Sequence, residues 1–172
     1  MIDMIIELAT VGKSPKMITA ALAADEIDLD GLAILGGPVE LKGEISRDGS
    51  RTELRGTVKA IVTLACTRCL EAIDRDLTLE FDDVFVDASE EKTQDEAEIP
   101  LDSLNEELLT ASEIDLKEVA REQLLLALPE QVFCREDCKG LCPQCGGNRN
   151  LIDCNCYQEE IDPRWAALKN LN

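Results

Sequence analysis

The sequence predicts an α+β fold, in which an antiparallel β-sheet meander is covered by one or two helices and followed by a small cysteine-rich C-terminal module. Three observations predict this class. Apolar and polar residues alternate along most of 39–86, a capped helical pattern occupies 115–128, and six of the eight cysteines lie within 134–156. Since 172 residues suffice for one domain with an appendage or for two small domains, we divide the chain into 1–133 and 134–172.

The N-terminal elements have the least regular patterns. Residues 2–11 are compatible with a strand, and Ser14–Ala24 contains enough alanine for a short helix. The segment Val39–Ile45 then alternates apolar with polar residues, and Asp48-Gly49 is a turn signal.

The longest predicted strand runs from Thr52 to Cys66 and has one apolar and one polar face. Its apolar face carries Leu54, Val58, Ala60, Val62 and Leu64. After the turn Cys66-Thr67-Arg68-Cys69, the returning strand places on one face Ile73, Leu77, Leu79, Phe81 and Phe85. These strands form a meander with one solvated face.

The segment 87–113 contains the string SEEKTQDEAE and few large apolar groups, so we expect a solvated acidic loop or a disordered segment. A helix follows over 115–128. Asp115 can cap it, Glu118 lies at the capping-box position, and Pro129 ends it. Its apolar side should cover the apolar face of the sheet.

The cysteines indicate metal binding. The N-terminus lacks the basic start and apolar run of a signal peptide, and no stretch approaches the roughly 20 apolar residues of a membrane span. We therefore expect a cytoplasmic protein without membrane contact, in which thiols stay reduced. The chain has no histidine, so the candidate metal ligands are Cys66, Cys69, Cys134, Cys138, Cys142, Cys145, Cys154 and Cys156.

Eight thiols divide into two four-thiolate sites. We favour the sets 66/69/134/138 and 142/145/154/156, because the predicted helix can bring Cys134 and Cys138 back to the hairpin end. The rival grouping, 66/69/142/145 with 134/138/154/156, stays open. We expect two zinc ions and a zinc-ribbon-like module, since Gly146 and Gly147 after Cys145 are typical of a zinc knuckle. An iron–sulfur cluster is the less favoured alternative.

Catalysis has little support in the sequence. Without histidine the commonest general base is missing, and eight cysteines fill two ions completely, whereas a catalytic zinc keeps a position open. We therefore predict a protein that is not an enzyme and has no small-molecule substrate.

The net charge of −19 repels polyanions at long range, so any contact with nucleic acid must be local or run through a partner. The candidate contact residues are Arg51, Arg55, Lys59 and Arg68. The alternative interpretation is an ordinary solvated sheet face.

Several motifs together resemble the YceD family of large ribosomal RNA subunit accumulation proteins. They are LLALP at 125–129, CREDCKGLCPQCGGNRN from Cys134, Cys154-Asn155-Cys156, Asp162-Pro163-Arg164, and the upstream CTRCL. The resemblance covers roughly residues 40–171. One departure is Asn148-Arg149-Asn150, where the family has N-L-N. A short helix is expected from Asp162 to Leu168.

The resemblance implies a non-catalytic factor needed for accumulation or maturation of large-subunit ribosomal RNA during ribosome assembly. Its partners would be the precursor of the large ribosomal subunit or its proteins, with possible local RNA contact. The alternative is a metal- or redox-responsive protein-interaction adaptor whose effect on RNA is indirect.

Overall fold

The computed structural model describes residues 4–87 and 106–156. The expected helix at 162–168 and the segment 88–105 of the predicted acidic loop lie outside these ranges.

The chain divides into two compact units. Unit 1 comprises residues 1–64 and 73–130, and unit 2 comprises residues 65–72 and 131–172. The end of the long hairpin thus groups with the cysteine-rich segment, although we had placed it in the first domain.

Within the described residues the secondary structure consists of eight strands, one α-helix and two short 3-10 helices, Leu8–Thr10 and Ala24–Glu26. In chain order the strands and the α-helix are β1 (Ile5–Glu7), β2 (Lys16–Leu22), β3 (Ile34–Leu35), β4 (Val39–Asp48), β5 (Arg51–Ala65), β6 (Ala72–Asp87), β7 (Glu106–Leu109), β8 (Glu113–Asp115) and α1 (Leu116–Ala127). The main sheet has the order β2-β4-β5-β6-β7, with β3 also paired to β5, and β1 pairs with β8 in a separate ribbon.

The central strands form as the sequence predicts. Asp48 pairs with Arg51 across a two-residue turn, in which Gly49 has a φ of +64°. Leu54, Val58 and Val62 of β5 are fully buried, so the alternating pattern sets which face of the sheet meets the core.

The predicted helix is confirmed as α1. The Asp115 carboxylate accepts a hydrogen bond of 2.9 Å from the Lys117 backbone N–H, which satisfies one donor left free in the first turn. Leu116, Val119 and Leu124 are buried, and the helix contacts β4. At 12 residues α1 is too short to cross a membrane, and the described part of the chain has no helix that could.

The expectation of a helix over Ser14–Ala24 is wrong, because this segment forms β2. Its residues pair antiparallel with β4 from Lys16↔Ile45 to Leu22↔Val39. Ala20 and Leu22 are buried while their neighbours are exposed, which is the period of a strand. The exposed edge of β4 supplies backbone partners, and this pairing outweighs the weak helix preference of alanine.

The prediction of a loop over 87–113 is also wrong in part, because this segment contains β7 and the start of β8. β7 pairs parallel to β6, from Val84↔Glu106 to Asp87↔Leu109, so the sheet is not a purely antiparallel meander. A strand of four residues, EELL, is too short to show a period in sequence.

Candidate metal centres

The first centre joins the hairpin between β5 and β6 to the segment after α1, within unit 2. It consists of Cys66, Cys69, Cys134 and Cys138, whose sulfur atoms all lie within 4.8 Å of one another. Cys66 and Cys69 are brought together by a tight turn, in which the Leu70 backbone N–H donates to the Cys66 carbonyl at 2.9 Å and Leu70 has a φ of +62°.

The sulfur spacing fits one metal ion. The Sγ atoms of Cys66 and Cys138 are 3.8 Å apart, and those of Cys69 and Cys134 are 3.6 Å apart. Four sulfurs placed tetrahedrally at about 2.3 Å from an ion are separated by about 3.8 Å. An iron–sulfur cluster inserts iron and sulfide between its thiolates and spreads them further, so the geometry favours a single ion.

The second centre is built from Cys142, Cys145, Cys154 and Cys156, whose sulfurs also lie within 4.8 Å of one another. The Gly146 N–H donates to the Cys142 carbonyl at 2.9 Å and closes the knuckle, with Gly146 at a φ of +70°. These two sets are the grouping we favoured from the sequence. Each can hold one ion with four thiolates, an arrangement that suits zinc or mononuclear iron.

The first centre is prepared for a cation by its own backbone. Burial opposes ionisation of Cys66, but N–H groups of Cys134, Cys69 and Arg68 point at its sulfur and lower its pKa to about 6. Burial raises the pKa of Cys134 far above its usual range, and the neighbouring thiols of Cys69, Cys138 and Cys66 raise it further. The hydrogen bond from the Asn150 side chain likewise lowers the pKa of the Cys138 thiol. Two thiolates are therefore stabilised in advance, and a dication favours ionisation of all four.

The second centre also contains thiols of lowered and of raised pKa. Backbone N–H groups of Cys145 and Gln144 lower the pKa of Cys142 to about 6. The side chain and charge of Cys145 raise the pKa of Cys156 to about 11, because thiolates this close repel one another. Each centre thus combines at least one thiol of lowered pKa with one of raised pKa, and a bound dication would favour the thiolate form of both.

Polar and aromatic contacts dock the segment 132–138 onto the hairpin end. Thr67 and Val132 exchange two hydrogen bonds, of 2.8 and 2.9 Å. The Arg68 guanidinium donates to the Cys138 carbonyl at 3.1 Å and lies 4.3 Å from the centre of the Phe133 ring. Arg68, which the sequence offered as an RNA contact, is therefore engaged in holding the first centre together.

A short ladder connects the two centres. The Leu141 N–H donates to the Arg68 carbonyl at 2.9 Å, the Arg149 N–H donates to the Gly140 carbonyl at 2.9 Å, and Leu141 forms a β-bridge with Asn148. The sequence predicted no role for Asn148 and Asn150; the signals were their place in the loop between the cysteines of the second centre and their match to the N-L-N of the resembled family.

The arginines of the proposed contact face have acidic partners. Arg51 forms ion pairs with Glu53 and Glu106. Arg55 lies 2.9 Å from Glu53 and 3.7 Å from Glu44. These residues form a face of mixed charge, which weakens its attraction for phosphate.

Lys59, the third residue of that face, lies opposite Glu40 in the register of β4 and β5. The structure places Arg51, Arg55 and Lys59 on unit 1, whereas Arg68 belongs to unit 2. Contact with RNA through these residues stays a prediction.

Comparisons with known proteins agree with the motifs. The family model of the Large ribosomal RNA subunit accumulation protein YceD matches residues 54–172, a range that contains all eight cysteines. An uncharacterized protein of Mycobacterium tuberculosis is 28% identical over 179 residues, which cover 96% of this chain and 79% of that protein.

Two further relatives show the same likeness. The Large ribosomal RNA subunit accumulation protein YCED homolog 1, chloroplastic, of Arabidopsis thaliana is 27% identical over 157 residues, covering 79% of this chain and 49% of that protein. The uncharacterized protein YlbN of Bacillus subtilis is 25% identical over 135 residues, covering 78% of this chain and 74% of that protein. No solved structure matches the chain.

Proposed function

We propose that this chain, which belongs to the YceD family, is a non-catalytic factor that supports accumulation or maturation of large-subunit ribosomal RNA during ribosome assembly. The observation that carries the proposal is the family match over residues 54–172, together with the name of the chloroplast relative. Family membership supports the link to ribosomal RNA accumulation. The two candidate metal centres support the physical role proposed for the protein.

The two centres support a structural role for metal. Each has four cysteines and can therefore saturate one zinc ion, leaving no open position for water or substrate. Coordination in such sites is part of the free energy of folding. Zinc would hold unit 2 in a fixed shape that another molecule can recognise.

The net charge of the chain favours a protein over RNA as its binding partner. A net charge of −19 repels the phosphate backbone, and the two arginines on β5 already pair with acids. A basic protein of the large-subunit precursor suits a chain of this net charge better. We propose that the effect on ribosomal RNA runs through such a protein.

The test is depletion of the protein with complementation. Depletion should lower the ratio of large-subunit to small-subunit ribosomal RNA, and wild-type protein should restore it. Wild-type protein should also sediment with large-subunit precursors and contain two zinc ions per chain by elemental analysis. An unchanged RNA ratio on depletion would refute the proposed function, whereas iron in place of zinc would refute only the metal assignment.

A second candidate, a redox-responsive adaptor, has one observation in its favour, which is the exposure of Cys145. An exposed ligand thiolate is open to oxidants. Mild peroxide should then release one ion and abolish particle association reversibly. If association survives loss of that ion, the adaptor function is excluded.

A further inference from the structure

Asn150 lies in the loop of the second centre, yet its side chain contacts a ligand of the first. Its Nδ2 donates to Cys138 Sγ at 3.3 Å, and its Oδ1 accepts from the Lys139 backbone N–H at 2.8 Å. The Lys139 contact requires an oxygen, so the amide nitrogen faces the sulfur. Asn150 is thereby oriented by one neighbour of Cys138 and directed at Cys138 itself.

The loop that carries Asn150 is closed by the second centre. Cys145 and Cys154 flank it on either side, and both are ligands of that centre. Within the loop, the Asn150 N–H donates to Asn148 Oδ1 at 2.9 Å. The Cys142 N–H donates to the Gly147 carbonyl at 2.8 Å, which holds the start of the loop against Cys142.

We propose that Asn150 is a positioning residue that couples metal loading of the two centres. Metal in the second centre closes the loop and presents the Asn150 amide to Cys138, where the N–H stabilises the metal-bound thiolate. Hydrogen bonds to metal ligands commonly change metal affinity by about 10- to 100-fold when removed. Because coupling between two binding sites is reciprocal, metal in the first centre also favours the closed loop. This inference rests on the metal loading proposed above.

Asn150→Asp is the most selective test. Aspartate keeps the size and the oxygen that accepts from Lys139, but it replaces the N–H against the Cys138 sulfur by a carboxylate oxygen. Asn148→Asp is the matched control, since it adds the same charge two residues away and keeps the oxygen that accepts from the Asn150 N–H. Asn150→Ala removes both contacts without placing an oxygen near the sulfur, and it replaces Asn150→Asp if that variant misfolds by circular dichroism.

The measurement is the rate of metal release from the full chain to a chromogenic chelator. A Cys66→Ser/Cys69→Ser variant, which keeps only the second centre, and a Cys142→Ser/Cys145→Ser variant, which keeps only the first, assign the two release phases of the full chain. With all eight cysteines present, we expect Asn150→Asp to release the metal of the first centre about 10- to 100-fold faster. Asn148→Asp should release it at close to the wild-type rate, and Asn150→Ala should shift it in the same direction as Asn150→Asp by a smaller factor.

Coupling is tested by combining the variants. With Cys142 and Cys145 replaced, the first centre should already release metal faster, and Asn150→Asp should add little. With Cys66 and Cys69 replaced, Asn150→Asp should leave release from the second centre unchanged.

Three results would overturn the proposal. These are wild-type release in Asn150→Asp, equal release in the two aspartate variants, or the full factor retained when Cys142 and Cys145 are replaced. Wild-type protein without metal would overturn both this inference and the metal role proposed above. Two bound ions with unchanged release in Asn150→Asp would overturn this inference alone.

Discussion

Replacement of Gly140 by alanine should destabilise unit 2 more than the same change at Gly146. Both glycines have a φ in the left-handed region, +72° and +70° respectively. A side chain in this conformation costs about 1–2 kcal/mol. The two positions differ in space, because a Cβ on Gly140 would lie 3.0 Å from the Arg68 carbonyl oxygen, whereas a Cβ on Gly146 would meet nothing within 4 Å.

The carbonyl of Arg68 cannot move away without a further cost. It accepts the hydrogen bond from the Leu141 N–H at 2.9 Å, and such a bond contributes about 0.5–1.5 kcal/mol. We therefore expect Gly140→Ala to cost about 1.5–3.5 kcal/mol and Gly146→Ala about 1–2 kcal/mol.

Hydrogen exchange of the Leu141 amide measures this difference. Since about 1.4 kcal/mol corresponds to a tenfold change, Gly140→Ala should speed exchange about 10- to 300-fold and Gly146→Ala about 5- to 30-fold. Equal or larger acceleration in Gly146→Ala would refute the reasoning, because the contact with Arg68 would then contribute nothing. Far-UV circular dichroism of both variants checks that the sheet is retained.

Three other variants test the remaining features. Cys66→Ser with Cys69→Ser should lose one of two zinc ions by elemental analysis and keep the other in the 142–156 centre; two ions retained would contradict the grouping. Arg51→Gln, Arg55→Gln and Lys59→Gln together should leave association with large-subunit precursors unchanged; weaker association would instead indicate phosphate contacts through this face. Burial and the nearby Glu122 and Asp82 raise the pKa of Asp83 despite the hydrogen bond from Gln123, so folding stability should increase as pH falls through that raised pKa toward the ordinary 3.8. Asp83→Asn should flatten this dependence and raise the urea midpoint at pH 7; a wild-type midpoint that falls with acidification over that range would contradict the assignment.

Sequence patterns predicted the parts of the fold in which one local rule decides the outcome. The alternation along β5 gave its buried face because period two is imposed by strand geometry itself. Asp115 marked the start of α1 because its short side chain reaches the backbone only at a helix end. Segments whose structure depends on a distant partner were predicted wrongly, as the pairing of β2 with β4 and of β7 with β6 shows.

The cysteine sets of the candidate centres could also be predicted from local spacing, but the contacts around them could not. Spacing in sequence joins Cys142 to Cys145, and the path of α1 suggested which pair completes each set. The contacts around the thiolates had no such signal. An asparagine that donates to a sulfur looks in sequence like any loop asparagine, and Arg68 looks like any exposed cation until its carbonyl partners are known.

The long separation between the two halves of the first centre has a consequence for synthesis of the chain. Cys66 and Cys138 are 72 residues apart. At about 5–20 residues per second, a ribosome needs roughly 4–14 s to add the second pair of thiols after the first. During this interval of translation, only Cys66 and Cys69 of the four candidate ligands have been synthesised. During that interval the two thiols are open to other metals and to oxidants.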